Sequence, residues 1–347
     1  MSDGKVGFAI AGSGMGAVTH AIELPHIPDA ELVAISSRNE DTAKEFAETH
    51  GAKRYYTDYR RMVEDKDVDV VVIVTPNALH QEYAIAAAEA GKHVVVEKPL
   101  ETTVERAQKI VDVCRDQGVM LSVIYQMRFC EAAQKIKRAI DDGLFGKMIQ
   151  CDANDKEYRV PAYYGKGRWH SSMELAGGGC LTLQSTHLVD LMQWFMGPVD
   201  KVFAKKQTAV HDMEVEDLVV AMLSFRSGAI GTITSSTCIF PAHKHLLEVN
   251  GVNGTAIMNG EYDDLLFWEL AGSDEKNDFP PDFKLNDITD PHFYPTLRHR
   301  FQLMDIVDAI KTGRPPAITG EEGMKAMILK EAIYKSAALG KEVEVDM

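Results

Sequence analysis

Cysteine is scarce in this chain. Its 347 residues hold five (Cys114, Cys130, Cys151, Cys180 and Cys238), an odd number with no Cys-x-x-Cys pair. That argues against a disulfide framework or a thiolate metal site and fits a reducing compartment. No apolar run approaches the ~20 residues of a membrane span. The apolar stretch after Met1–Lys5 is too short for the core of a signal peptide. Positive charge is also in deficit, since 37 Lys and Arg face 52 Asp and Glu for a formal charge of −15. Such a balance repels nucleic acid and anionic membrane surfaces. What remains is 45% hydrophobic and 26% charged, a globular composition. At roughly 150 residues per domain, two domains are expected. The expectation is a cytoplasmic protein that binds neither nucleic acid nor membrane.

The first third alternates between two periods. Val6–Ala11, Leu32–Ser36, Val68–Val74, His93–Val96 and Met120–Tyr125 are short apolar runs. Between them Ala17–Leu24, Glu40–Thr49, His80–Ala90 and Thr103–Gln117 have helical spacing, several closed by glycine. Strands buried on both faces and alternating with helices imply a parallel sheet covered on both sides. Beyond Tyr125 the rhythm changes. A helix over Glu131–Asp142 precedes longer strands at Met148–Ala153, Leu218–Phe225, Ala229–Ser236 and Leu246–Asn250, with a hairpin at Arg226-Ser227-Gly228. One helix, Leu181–Met196, interrupts them, residues 271–295 read as loop, and helices near Arg298–Thr312 and Gly320–Leu339 close the chain. This half reads as α+β with a mostly antiparallel sheet. The expected division is 1–126 and 127–347.

Gly12-Ser13-Gly14-Met15-Gly16-Ala17 follows the first strand and opens the first helix. Gly12 allows a tight turn, Gly14 lets a pyrophosphate approach the backbone, and Ala17 permits close helix–strand packing. The helix start at Gly14-Met15-Gly16 offers free N–H groups and a positive dipole end to phosphates. Gly12, Gly14, Met15 and Gly16 are therefore candidate dinucleotide contacts. About twenty residues on, where a carboxylate would bind the ribose hydroxyls of NAD, stand Ser37 and Arg38. A hydroxyl beside a guanidinium accepts a 2′-phosphate, so NADP is expected over NAD.

Val94-Val95-Val96 runs into Glu97-Lys98-Pro99 at the carboxyl end of a strand, the edge where ligands bind in open parallel sheets. A cis Lys98–Pro99 bond there would aim the ammonium. Together with Thr75-Pro76-Asn77-Ala78-Leu79-His80, Tyr125-Gln126-Met127-Arg128-Phe129, Gly143-Leu144-Phe145-Gly146, Gly177-Gly178-Gly179, His187-Leu188-Val189-Asp190 and the closing helix from Gly320, the chain resembles the Gfo/Idh/MocA family over nearly its whole length. The resemblance implies an N-terminal Rossmann domain and a C-terminal α+β domain with a large, mostly antiparallel open sheet, through which homodimers or homotetramers form. It also implies NAD(P)-dependent oxidation or reduction of a sugar, cyclitol or similar polyol. Thr75, Pro76, Asn77, His80, Glu97, Lys98 and Gln126 would meet the cofactor. Lys98 would polarise the reacting oxygen and His187 would exchange its proton. Those roles suit an ammonium and an imidazole at neutral pH. The expectation is that both reach the nicotinamide.

In that pattern an Asp or Asn usually precedes the histidine by four residues, but here stands Leu183. Gln184 or Asp190 are candidate replacements. Arg159, Tyr163, Tyr164, Arg168, Trp169 and His170 crowd one loop and suit a carbohydrate or carboxylate. Of these, Arg159 and Trp169, with Lys98, Gln184 and His187, are the candidate substrate contacts. Asp155 and Lys156 are expected to reach the same cleft. His243 and His245 lack evident acidic partners and read as surface residues, so no metal is expected. Two other activities remain open, a glycosidase or lyase that oxidises its substrate transiently on bound NAD and a non-catalytic nucleotide sensor.

Overall fold

The computed structural model describes residues 4–165, 167–242, 244–260, 264–277 and 296–346. His243 and most of the loop expected over 271–295 lie outside them. The chain forms two units, one of residues 1–126 with 296–324, the other of 127–295 with 325–347. A single cut at 126 thus leaves out a return of the chain to its first unit.

The first unit runs β1 (Val6–Ala11), α1 (Met15–Glu23), β2 (Ala30–Ser36), α2 (Glu40–His50), β3 (Arg54–Tyr56), α3 (Tyr59–Val63), β4 (Val70–Ile73), α4 (His80–Glu89), β5 (His93–Val96), α5 (Val104–Asp116) and β6 (Leu121–Val123). Its sheet has the order β3-β2-β1-β4-β5-β6, and each neighbouring pair is parallel. This is the Rossmann arrangement, whose order reverses between β1 and β4. Every residue of β1 and β4 is buried, which is why both read as unbroken apolar runs. Helix starts carry side-chain caps where the sequence provides them. Asn39 accepts the Thr42 N–H at 2.9 Å and Thr103 accepts that of Arg106 at 3.2 Å.

The returning segment supplies helix α10, introduced below with its range. Leu303, Ile306 and Val307 join the core of Phe8, Ile10, Ala17 and Ala21. The Gln302 amide donates to Val123 O at 2.7 Å, and the Ser122 hydroxyl to Ile318 O at 2.8 Å. Local periodicity finds such a helix but cannot say which sheet it covers.

The second unit continues with α6 (Glu131–Asp141), β7 (Met148–Lys156), α7 (Met173–Ala176), α8 (Cys180–Leu183), α9 (Thr186–Met196), β8 (Val199–Gln207), β9 (Leu218–Phe225), β10 (Ile230–Ser236), β11 (Lys244–Gly251), β12 (Gly254–Asn259), β13 (Leu265–Leu270) and β14 (Lys276–Asn277). Then follow α10 (Leu297–Thr312), α11 (Gly320–Leu339), whose first turn belongs to the first unit, and β15 (Val343–Glu344). The described sheet has the order β14-β13-β12-β11-β7-β10-β9-β8-β15 and is antiparallel except between β7 and β10. Its strands alternate buried and more exposed residues, as expected when one face is covered.

Two expectations need correction. The helix foreseen over 181–196 breaks between α8 and α9, where Ser185 turns its hydroxyl inward to Asp155 Oδ2 at 2.6 Å and Ser235 Oγ at 2.5 Å. The strand foreseen to Ala153 continues to Lys156, so Asp155 and Lys156 point to opposite faces and cannot share a cleft. Asp155 is the buried one. No described helix is long and apolar enough to cross a membrane, and the five cysteines are free thiols.

Candidate functional site

In the first unit the candidate residues gather because the sheet is parallel. β1, β2, β4, β5 and β6 all end at one edge, and Gly12, Ser37, Thr75, Glu97 and Gln126 follow those ends. Gly12 has φ +123°, and a Cβ on it would overlap the Val74 carbonyl. A Cβ on Gly16 would stand 2.7 Å from Val74 Cγ1, so α1 approaches the end of β4 as closely as glycine permits. Gly14 caps α1 with no side-chain hydrogen bond and has open space where a Cβ would stand. The first turn of this nine-residue helix therefore has no side chain capping its N–H groups, and the space beside Gly14 is open. This cradle fits a pyrophosphate, which the N–H groups and helix dipole would hold.

Ser37 Oγ accepts a 3.1 Å hydrogen bond from the Ser13 hydroxyl, joining the end of β2 to the turn. Arg38 is exposed and makes no hydrogen bond or ion pair among the described residues. Its charge acts on Tyr83 of α4, as does that of Arg60. Thr75 Oγ1 is buried without a hydrogen-bond partner among the described residues. His80, fully buried, ties two strand ends together. Its Nε2 is 2.9 Å from Thr75 O and its Nδ1 3.0 Å from Pro99 O. Pro76 and Asn77 lie between Thr75 and His80, with Asn77 buried.

Lys98 follows β5 directly and is joined to Pro99 by a cis peptide. Glu97 beside it meets His20 of α1 at 2.7 Å between Nε2 and Oε1. Burial opposes ionisation of Glu97, but the His20 hydrogen bond and the charges of His20, His299 and Lys98 outweigh it and hold the pKa at about 2. His299, from α10, meets His20 edge-on with centroids 5.5 Å apart. Burial first, then the His20 charge, lower its pKa to about 3. Neither histidine was singled out from the sequence. His20 had a signal, a polar residue on the stripe of Ala17 and Ala21; His299 had none.

In the second unit, Gln184 and His187 are partly exposed within a run otherwise buried from Cys180 to Leu191. Gln184 interacts with the Tyr163 hydroxyl, and its Oε1 is buried with no partner among the described residues. Tyr163 packs on His170 at 4.7 Å, and His170 on Trp169 at 4.1 Å. Burial, then Arg168, lower the His170 pKa to about 4. Arg159 lies 5.8 Å from the Tyr163 ring centroid, so Arg159, His170 and Gln184 converge on Tyr163, with Trp169 one ring further out. Arg159 is itself buried and pairs with Glu157 at 2.7 Å, a setting that supports the loop. Asp190 does not replace the missing Asp or Asn. It is locked in a buried bidentate pair with Arg128, at 2.8 Å to Nε and 2.6 Å to a terminal nitrogen.

His245 is a correction, for it is buried and has acidic partners. β11 pairs with β7 so that His245 stands opposite Asp155, with Nδ1 3.1 Å from Oδ1 and 3.7 Å from Glu157 Oε1. Ligand atoms of Asp155, Glu157 and His245 lie within 4.8 Å of one another. Ser185 and Arg159 already engage the two carboxylates. Two further groups went unseen because their contacts are distant in sequence. Glu216 accepts the Gly179 N–H at 3.0 Å and the Tyr334 hydroxyl at 2.8 Å. His211 joins Asp217 at 3.0 Å and Arg159 O at 2.8 Å.

Residues 6–125 match the model described as oxidoreductase family, NAD-binding Rossmann fold, and residues 133–257 match the GFO/IDH/MocA C-terminal domain. A myo-inositol 2-dehydrogenase of Thermotoga maritima is 28% identical across 97% of this chain and 98% of its own length. A D-xylose 1-dehydrogenase (NADP(+)) of Haloferax volcanii is 27% identical across 98% and 99%. The structure of the WlbA dehydrogenase from Bordetella pertussis, solved with NADH and UDP-GlcNAcA, is 30% identical, covers 100% of this chain and 99% of its own, and superposes with a TM-score of 0.89. With the glycine cradle, the strand-end lysine and both domains matched, the chain belongs to the GFO/IDH/MocA family of NAD-binding oxidoreductases.

Proposed function

We propose that this protein oxidises or reduces a secondary alcohol or ketone of a sugar, cyclitol or related polyol, using NADP in preference to NAD. The observation that carries the reading is the placement of Lys98 at the end of β5, in the same strand-end cluster as the glycine cradle. A bound nicotinamide would supply or accept the hydride. In this reading the Lys98 ammonium stabilises charge on the reacting oxygen, and the His187 imidazole takes or returns its proton. Gln184, with a buried oxygen lacking a partner among the described residues, accepts from a substrate hydroxyl. Trp169 offers an aromatic face, and Arg159 steadies Tyr163, the partner of Gln184. Relatives named for inositol and xylose support the substrate class.

The NADP preference rests on Ser37 and Arg38 at the end of β2, where no carboxylate stands to repel a 2′-phosphate. Homo-oligomers are proposed through the open sheet face, where Val220, Met222 and Ile230 are 48%, 63% and 60% exposed.

Lys98→Met is expected to lower turnover on a polyol and keto-sugar panel by about 10²–10³-fold with nucleotide affinity nearly unchanged. Unaltered turnover refutes the assignment. Parallel titrations with NADPH and NADH check the preference, and tighter NADH binding reverses it.

A further inference from the structure

We propose that His20 is a positioning residue for Lys98, its imidazole fixing the Glu97 carboxylate as a stationary negative charge beside the lysine. The inference rests on the reading of Lys98 given above and extends it to a residue on the helix that opens at the glycine turn.

Both oxygens of Glu97 are engaged. Oε1 meets His20 Nε2 at 2.7 Å, and Oε2 accepts the backbone N–H of Lys98 at 3.2 Å. The carboxylate cannot rotate away from the lysine without giving up one of them. His20 is fully buried and is braced by His299, whose ring stands at 90° to its own. One turn along α1, buried Glu23 pairs with Arg300 at 2.6 Å, so α1 and α10 are fastened where the two imidazoles meet. The charged and titratable groups acting on this cluster are His20 from α1, His299 and Arg298 from α10, and Lys98 itself. Glu97 stays ionised down to about pH 2, and His299 stays neutral down to about pH 3. Across the working range the Glu97 carboxylate is therefore a fixed anion next to Lys98. An opposite charge within ~4–6 Å favours the ammonium form, the form that stabilises an alkoxide.

A merely structural His20–Glu97 pair would alter stability and leave the lysine's titration alone, which separates the two roles. The test is the pH dependence of Lys98 acetylation by acetic anhydride, followed by peptide mass spectrometry on the cofactor-free protein. Glu97→Gln is expected to lower the titration midpoint of Lys98 by about one pH unit or more. His20→Phe should lower it in the same direction by less. His20→Gln, whose amide can donate to the same oxygen, should restore the wild-type midpoint. Should His20→Phe fail to fold, His20→Asn, with an amide too short to reach Glu97, takes its place. A midpoint that moves in neither Glu97→Gln nor the His20 variants overturns the proposal. If the midpoint stays put while Lys98→Met abolishes turnover, the positioning role alone fails. If the midpoint moves while Lys98→Met keeps full turnover, it is the catalytic reading of Lys98 that fails.

Discussion

The two units build their candidate residues by different means. In the first, backbone does most of the work. A parallel sheet brings five strand ends to one edge, glycines let α1 approach, and the N-terminus of α1 opens there without a side-chain cap. In the second, side chains from separate segments assemble the surroundings of Gln184. Tyr163 gathers Arg159, His170 and Gln184, and buried ion pairs lie behind them. A site made of backbone should tolerate side-chain changes nearby but not a change of glycine. One made of packed polar side chains should be vulnerable to loss of any single partner.

Asp190→Ala is the sharpest probe of the second half of that contrast. It leaves the Arg128 guanidinium buried without its carboxylate, at a cost of about 3–5 kcal/mol. Urea denaturation should show this, with nucleotide affinity of the folded fraction unchanged. A loss under ~1 kcal/mol would mean the pair is replaceable, and the contrast would weaken.

Gly12→Val comes next and acts on the first unit. Its φ of +123° strains any side chain, and the new atoms overlap the Val74 carbonyl. Strain of about 1–3 kcal/mol corresponds to roughly ten- to hundred-fold weaker nucleotide binding. Fluorescence titration reads it, and circular dichroism checks that the sheet survives.

The smallest expected effect is on acid stability. Folded His299 protonates at about 3 and His170 at about 4, both below the ordinary 6.5. The unfolded chain therefore binds more protons through that interval, and stability falls as pH drops from 6.5 toward those values. Glu97 adds a loss between 4.5 and about 2. His299→Gln should flatten the decline of the thermal midpoint between pH 6.5 and 3, and His170→Gln between 6.5 and 4. An unchanged slope in both variants would show that these imidazoles do not govern it.

The same contrast explains how legible the sequence was. The glycine turn, Ser37 and Arg38, and Glu97-Lys98-Pro99 each lie within a short stretch whose spacing fixes their geometry, so they could be read directly. Leu183 was also visible as a departure from the family's pattern. Its consequence was not visible, because whether Asp190 could stand in depended on Arg128, 62 residues away. His245 looked isolated because its acidic partners sit on β7, about 90 residues earlier. Glu216 and Tyr334, 118 residues apart, gave no local sign at all.

Sequence by itself determined the alternation of strands and helices, the glycine turn before α1 and the lysine at a strand end, since each follows from dihedral preference and periodicity over a few residues. Only tertiary structure decided that residues 296–324 return to the first unit, that His299 backs His20, and that Arg159 and Asp190 are consumed in buried pairs. Burial and pairing are properties of what packs against a side chain, and here those neighbours lie mostly in other elements of the chain.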